Sequence, residues 1–239
     1  MGYKKAIYRG AVCLMLIAFF ALLIRPAAQI KLMTSATPAK AEPRVIVDAG
    51  HGGEDGGAVS ADGVPEKGIN LSISNDLSDL LTVFGFSVEK TRTDDNALSD
   101  DGDSVKARKV NDMKLRLEKF NSSPENVIIS IHQNKFSSTK SKGTQVFYSP
   151  NNENSQKLAD TIKNSVRSLL QPENERLSKK ADGNIFLLKN TDNPAVIVEC
   201  GFLSNPEESA LLVDEGYQKE MAFSISTGFL DYYHFKSAI

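Results

Sequence analysis

Short apolar runs alternate along this chain with longer segments in which apolar residues recur every three or four positions. Three of the runs are rich in β-branched residues and are predicted to be buried strands: residues 44–48 (RVIVD), 127–131 (VIISI) and 195–199 (AVIVE). Weaker runs predict further strands at residues 86–91, 144–148 and 185–188. The helical spacing of apolar residues predicts helices at residues 69–84, 105–120, 156–170 and 215–233.

The alternation of strands with helices predicts an α/β fold. We expect a three-layer sandwich in which helices flank a mostly parallel central sheet. Ligands of such sheets bind just beyond the carboxyl ends of the strands, so the residues that follow each buried strand are the first candidates for chemistry. Residues 93–104 are rich in Asp, Ser and Gly and are predicted to form a loop.

The first 43 residues are predicted to be an export segment followed by a linker. Lys4, Lys5 and Arg9 precede an apolar run at residues 10–24, which is the order found in signal peptides. The run has 15 residues and a membrane span needs about 20, so a cleaved signal and an uncleaved anchor are both open. The predicted organisation is a signal peptide or membrane anchor at residues 1–30, a linker at 31–43 and one exported catalytic domain at 44–239.

Composition and charge exclude several classes of function. The 239 residues are 41% hydrophobic and 24% charged, which is typical of a globular protein. Cys13 and Cys200 are the two cysteines, which excludes a disulfide framework and a thiolate zinc finger. The first 43 residues hold six of the 28 basic side chains and one of the 30 acidic ones. The main domain is therefore acidic, and we expect no nucleic-acid binding because it offers no basic field to phosphates.

Side chains that suit metal chemistry lie near the ends of the predicted strands. The candidates are Asp48 and His51 after the first strand, His132 and Asn134 after the second, Glu199 at the end of the third, and Glu66 just before the first helix. A catalytic zinc ion usually has three protein ligands, and it binds imidazole and carboxylate. Two histidines and one glutamate supply that set and leave a second glutamate as a base. Asp48 or Asn134 could hold an imidazole in one tautomer.

Simpler interpretations exist for each candidate taken alone. A histidine at a strand end is often a polar cap, and Glu66 could be a helix N-terminal charge that the dipole favours. Glu199 is harder to explain in this way, because an unpaired buried carboxylate is costly. Cys200 is predicted to point to the opposite face of the strand and to be a small buried hydrophobe rather than a nucleophile. The chain has no Gly-x-Ser-x-Gly elbow, so the joint arrangement favours metal chemistry.

Seven motifs carry a resemblance to a known family. They are Asp48-Ala-Gly-His-Gly-Gly, Asp55-x-Gly57-Ala58, Glu66-Lys67 with Asn70-Leu71, Thr91-Arg92, Arg116 with Asn121, Ser130-Ile-His-x-Asn134 and Val198-Glu-x-Gly-Phe-x-Ser-Asn205. As a set they resemble the zinc-dependent N-acetylmuramoyl-L-alanine amidases of the Amidase_3 type, over nearly all of residues 44–234. The resemblance implies that His51, Glu66 and His132 bind Zn²⁺ and that Glu199 is the catalytic carboxylate. The motif residues expected to support the site or contact the substrate are Asp48, Asn134, Arg92 and Arg116.

The resemblance implies hydrolysis of the amide between N-acetylmuramic acid and L-alanine in peptidoglycan. The family often has alanine where this chain has Gln133, a difference that bears on contacts near the site. The chain is most similar to the germination-specific members of endospore formers, which implies action on the spore cortex. No wall-binding repeat is found in the sequence, so we expect an accessory activator protein or the N-terminal segment to supply localisation at the wall or the outer face of the membrane.

Two other functions remain open from the sequence. A zinc wall carboxypeptidase could use the same ligand types, but it would cut within the stem peptide. A non-catalytic wall-binding module would not need Glu199 and would normally show repeated aromatic or basic contact features, which the sequence lacks.

Overall fold

The computed structural model describes residues 44–237, so the predicted export segment and linker lie outside the described residues. Within this range six strands form one sheet. Their bounds are β1 (Arg44–Ala49), β2 (Ser87–Lys90), β3 (Asn126–Asn134), β4 (Gln145–Tyr148), β5 (Lys179–Lys180) and β6 (Ala195–Phe202). The order across the sheet is β2-β1-β3-β6-β4-β5, and all neighbours are parallel except β4 and β6. The predicted α/β class with a mostly parallel sheet is confirmed.

Helices cover both faces of this sheet. Their bounds are α1 (Glu66–Val83), α2 (Val105–Phe120), α3 (Asn154–Leu169), α4 (Phe186–Asn190), α5 (Pro206–Leu212) and α6 (Glu215–Ser237). Helices α1, α3 and α6 pack on one face in the larger core, and α2 and α4 pack on the other face in a smaller core. The result is the expected three-layer sandwich. Among residues 44–237, no helix has both the length and the apolar character needed to cross a membrane.

The central strands are apolar on both sides because both of their faces are covered. In β1, Val45 and Val47 pack in the larger core whereas Ile46 packs in the smaller one, since successive side chains of a strand point to opposite faces. By the same alternation, Asp48 lies on the face that α2 and α4 cover.

The candidate residues of β3 and β6 lie on that same face. His132 is an even number of residues after Ile128, and Glu199 is two residues after Ile197; both isoleucines belong to the smaller core. Strand β3 extends beyond its predicted run, so His132 lies inside the paired region as the register partner of Glu199, which was predicted to end its strand. The alternation of the strands therefore brings the two residues side by side.

The predicted strand at residues 185–188 is wrong. The segment begins α4, whose first turn closes with a hydrogen bond from the Lys189 amide to the Ile185 carbonyl at 3.0 Å. A run of four apolar residues does not by itself distinguish a strand from one helical turn. The edge strand beside β4 is instead the two-residue strand β5, which pairs with β4.

Candidate metal centre

Three side chains of types that can bind a metal ion come from separate elements and converge beyond the carboxyl ends of the central strands. His51 lies in the turn after β1, Glu66 is the first residue of α1, and His132 lies near the end of β3. Glu66 Oε1 is 3.0 Å from His51 Nε2 and 3.1 Å from His132 Nδ1. One donor atom of each residue lies within 4.8 Å of the other two. The structure thus brings together the three residues that the sequence analysis names as ligands.

The backbone of two glycines lies directly against these candidate metal-binding side chains. A Cβ atom on Gly50 would be 2.2 Å from Nε2 of His132, and one on Gly57 would be 2.4 Å from Cγ of Glu66. His51 itself has a φ of 62°, in the left-handed region that non-glycine residues rarely adopt. The glycine-rich turn after β1 is therefore required by the close approach of the donors.

Asp55 fixes the ring of His51. Its Oδ2 is 2.8 Å from His51 Nδ1, which leaves Nε2 facing Glu66. The other oxygen of Asp55 pairs with Lys109 of α2 at 2.7 Å. Burial lowers the pKa of His51, but hydrogen bonds and charges from Asp55 and Glu66 outweigh it and raise that pKa to about 9. Asp55 belongs to one of the sequence motifs but had no predicted role; its place four residues after His51, in a glycine-rich turn, was the available signal.

Glu66 is buried and held at both oxygens. Its Oε2 accepts from the Ala58 amide at 2.7 Å, and its Oε1 accepts from Asn70 Nδ2 at 3.2 Å. Burial raises the pKa of Glu66, but the hydrogen bonds and charges of His132 and His51 lower it well below its ordinary value. The carboxylate is therefore ionised, with Oε1 towards both imidazoles. Two imidazoles and one carboxylate are a donor set of catalytic zinc sites, so the residues fit that ion.

Glu199 faces the site from β6, in register with His132. Its Oε2 is enclosed and has no hydrogen-bond partner among the described residues. Burial raises the pKa of Glu199 to about 7; His132 and His51 act against this shift, whereas the negative charge of Glu66 adds to it. A carboxyl group near neutral pKa with a free oxygen is suited to proton transfer.

Asp48 lies beneath the turn and holds no imidazole. It is fully buried and accepts hydrogen bonds from Arg116 Nη1 and Ser130 Oγ at 2.5 Å each and from Thr91 Oγ1 at 2.8 Å. Burial raises the pKa of Asp48, but the positive charge of Arg116 and these hydrogen bonds hold it below its ordinary value. Asp48 is thus an ionised anchor for the neighbouring elements.

The two arginines named from the motifs donate hydrogen bonds to the backbone of the turn after β1. Arg116 donates to the His51 carbonyl at 2.6 Å, and Arg92 donates to the Gly50 carbonyl at 3.1 Å. Asn134 ends β3, and its side chain makes no hydrogen bond within residues 44–237, while its carbonyl accepts from the Leu203 amide at 2.8 Å. The partner of an imidazole is Asp55 rather than Asp48 or Asn134.

A cavity of about 200 Å³ opens beside the donors. His51, His132 and Lys109 line one part of it, and apolar side chains line another: Met113, Ile185, Phe186, Leu187 and Ile197. A larger groove of about 730 Å³ lies between residues 138–143 and 171–176 and contains none of the candidate site residues. The smaller cavity is therefore the space in which a substrate would meet the donors.

Comparison with known proteins identifies the family. Residues 45–231 match the model of Amidase_3, described as N-acetylmuramoyl-L-alanine amidase. The germination-specific N-acetylmuramoyl-L-alanine amidase of Bacillus subtilis (strain 168) is 36% identical over 190 residues, which cover 79% of each chain. The CwlD amidase from Clostridioides difficile, solved in complex with the GerS lipoprotein, superposes with a TM-score of 0.78 at 36% identity, covering 81% of this chain and 100% of that one. The catalytic domain of CwlV from Bacillus (Paenibacillus) polymyxa var. colistinus gives a TM-score of 0.66 at 29% identity, covering 80% and 98%.

The fold, the donor cluster and these matches define a bacterial wall amidase, a hydrolase of an amide bond. The chain belongs to the Amidase_3 family of N-acetylmuramoyl-L-alanine amidases. Its reaction is the hydrolysis of the amide between N-acetylmuramic acid and L-alanine, which decides against the carboxypeptidase and the wall-binding module.

Proposed function

We propose that this amidase binds Zn²⁺ through His51, Glu66 and His132 and uses Glu199 to move the proton of the reaction. The observation that carries the proposal is the meeting of three donors opposite a carboxyl oxygen that has no partner among the described residues. A partnered carboxylate would be explained by structure alone, whereas a free one beside a metal-binding cluster is explained by catalysis.

Zinc and the residues around it have distinct roles in the proposed reaction. Zinc, when bound, supplies Lewis acidity to the reaction. Glu199 accepts a proton from the attacking water and delivers it to the amine of L-alanine as the amide bond breaks. Asp55 keeps His51 in one orientation, and Arg116 and Arg92 keep the turn that carries His51 in place. The apolar wall of the cavity limits water on one side of the substrate.

The direct test is mass spectrometry of peptidoglycan digested by the full chain, with zinc and after treatment with a chelator. We expect zinc-dependent release of intact stem peptides that begin with a free L-alanine amine. Glu199→Gln should keep its zinc and lose activity by at least about 100-fold, the usual contribution of an acid–base group. Full activity in this variant would refute the role of Glu199, and activity without zinc would refute the metal site.

A matched control is Glu208→Gln. Glu208 is another glutamate whose pKa burial raises, but it accepts hydrogen bonds from the amides of Gly143 and Phe202 and lines the larger groove. We expect this variant to retain activity, so a loss confined to Glu199→Gln separates catalysis from the removal of a buried charge.

Action outside the cytoplasm, on the spore cortex, is a further part of the proposal. Its support is the relative at 36% identity, which is named as germination-specific, together with the export segment predicted from the sequence. The test is complementation of a Bacillus subtilis strain that lacks its germination-specific amidase. Restored germination is expected with this chain and not with its Glu199→Gln variant; failure despite secreted, active enzyme would argue against the cortex.

An accessory activator remains part of the proposal because the similar CwlD amidase was solved in complex with a lipoprotein. The test is whether the purified full chain cleaves peptidoglycan alone. Full activity without a partner would make an activator unnecessary.

A further inference from the structure

A buried chain of hydrogen bonds reaches the metal centre from the side of α1. Gln133 of β3 is 3% exposed and lies on the same face of the strand as Ile131, which packs in the larger core. Its Nε2 donates to Asn70 Oδ1 at 3.1 Å. Asn70 is fully buried in α1 and donates in turn to Glu66 Oε1 at 3.2 Å and to the Gly50 carbonyl at 3.1 Å.

The two acceptors determine which way the Asn70 amide points. A carboxylate and a backbone carbonyl accept hydrogen bonds and cannot donate them, so Nδ2 of Asn70 must face Glu66 and Gly50. The oxygen of Asn70 must then face Gln133, whose Nε2 is its hydrogen-bond donor within the described part of the chain. Gln133 is therefore the group that satisfies this buried oxygen in the orientation the site needs.

Asn70 touches both sides of the donor cluster. The oxygen of Glu66 that it holds is the one that faces His51 and His132. The backbone of Gly50 lies directly against the ring of His132. One amide group thus sets the position of the carboxylate oxygen and of the backbone that supports an imidazole.

Packing alone does not explain an amide at position 133. Its Oε1 has no hydrogen-bond partner among the described residues, and the other side-chain contact of its amide is a weak one, with the Cys200 sulfur. A buried polar atom without a good partner is costly, and an apolar side chain of similar length would avoid it. The useful contact of Gln133 is the one to Asn70.

We propose that Gln133 is a positioning residue for metal binding. It orients Asn70, which holds Glu66 and the Gly50 backbone in the positions that zinc binding requires. The inference rests on the zinc site of the proposed function. Loss of an outer hydrogen-bond partner of a metal ligand typically weakens metal binding by about 10- to 100-fold. We expect Gln133→Met, which keeps the length and removes the donor, to weaken zinc binding by about 10-fold.

The experiment measures zinc affinity and stability separately. The full chain is made metal-free, its melting temperature is recorded, and its zinc dissociation constant is measured by competition with a chromophoric chelator. The control is Asn126→Ala at the other end of β3, because Asn126 is a fully buried amide with an unpartnered Oδ1 that donates to the Lys119 and Phe120 carbonyls, away from the donors. Asn126→Ala should lower the melting temperature of the metal-free protein without changing its zinc affinity, whereas Gln133→Met should weaken zinc binding.

A double-mutant cycle tests whether Gln133 acts through Asn70. In an Asn70→Ala background, Gln133→Met should cause no further loss of zinc affinity, because the group that it orients is gone. Wild-type affinity in Gln133→Met, or an equal further loss in the Asn70→Ala background, would overturn the proposal. If Gln133→Met does not fold, Gln133→Ala removes the donor without added bulk and is judged by the same criteria. His51→Ala separates the two proposals: if it binds zinc as wild type does, the zinc site itself is wrong, whatever Gln133 does.

Discussion

At the scale of single residues, three carboxyl groups near the donor cluster differ in pKa because their surroundings differ. Asp55 and Glu66 are ionised because hydrogen bonds and charges of their partners, the histidines above all, outweigh the effect of burial on their pKa values. Burial dominates at Glu199, whose pKa rises to about 7. Environments that shift the pKa values of neighbouring titratable groups apart favour different roles. Under the proposed function, two carboxylates hold the site and Glu199 exchanges a proton.

The raised pKa of Glu199 predicts a pH dependence. The group must be ionised to accept a proton, so kcat/KM should rise with pH through its pKa. The midpoint should lie at or below about 7, because a bound cation lowers the pKa of a neighbouring carboxyl group. The residual activity of zinc-loaded Glu199→Gln should lack this acidic limb. A wild-type profile that is flat from about pH 5 to about pH 8 would contradict the assignment.

Removal of Asp55 should weaken the metal site without unfolding the protein. Asp55→Ala leaves His51 Nδ1 without its partner, and we expect zinc affinity to fall by about 10- to 100-fold. Asp55→Asn keeps a hydrogen-bonding group and should lose less zinc affinity than Asp55→Ala. Isothermal titration of the metal-free variants measures both effects; unchanged affinity in Asp55→Ala would show that other contacts fix the ring.

At the scale of elements, the start of α1 and the turn after β1 form one unit. Helix α1 begins at Glu66, three residues before the predicted start, because the apolar periodicity begins at Ile69 whereas the first turn is polar. Glu66 and Asn70 are four residues apart and share a face of the helix, which places both beside the turn. The backbone of the turn is then close enough to the donors that glycine is needed at position 50.

Two glycine substitutions test whether the close approach of the turn to the donors requires glycine. Gly50→Ala would place its Cβ 2.2 Å from the His132 ring, and we expect it to lower the free energy of unfolding by about 3 kcal/mol and to impair zinc binding. Gly68→Ala is the control in α1, where nothing lies within 4 Å of the added Cβ, and it should raise the free energy of unfolding by about 0.5–1 kcal/mol. Urea unfolding of both variants measures the difference. Equal effects would show that the close approach at Gly50 is unimportant.

At the scale of the whole molecule, Asp48 connects four parts of the fold. It lies in β1 and accepts hydrogen bonds from Ser130 of β3, from Thr91 just after β2 and from Arg116 of α2. These bonds join the sheet to the helix that carries Lys109, the partner of Asp55. The stability of the sandwich and the position of the candidate metal centre therefore depend on the same buried ion pair.

This ion pair predicts a dependence of stability on pH. The pKa of Asp48 is lower in the folded state than its ordinary value of 3.8, so its contribution is fully present above that pH and is lost as the pH falls through the folded value. Asp48→Asn removes the fully buried partner of Arg116, which keeps its ion pair with Asp112 at 2.7 Å, and should lower the free energy of unfolding by about 1–3 kcal/mol at neutral pH. The difference in free energy of unfolding between wild type and variant should become smaller at acid pH. Urea unfolding at several pH values checks this, and a gap that is constant down to acid pH would contradict it.

Several features of the fold and the site were accessible from the sequence. The β-branched runs of β1, β3 and β6 predicted the buried centre of the sheet, because strands covered on both faces must be apolar throughout. The motif residues around His51, Glu66, His132 and Glu199 predicted a metal-binding cluster. Local periodicity did not distinguish α4 from a strand, and it gave no signal for β5, which is only two exposed lysines long.

Local sequence patterns were sufficient to predict the class of fold and the residue types of the candidate metal centre, because they reflect burial and donor chemistry. Which atoms come into contact became clear only in the folded molecule. It gave the partner role to Asp55 rather than Asp48, left Oε2 of Glu199 without a partner among the described residues, and joined Gln133 to Glu66 through Asn70. The contact between Gln133 and Asn70 joins residues far apart in the chain, and its geometry follows from strand register and close backbone approach. No local pattern encodes either of these.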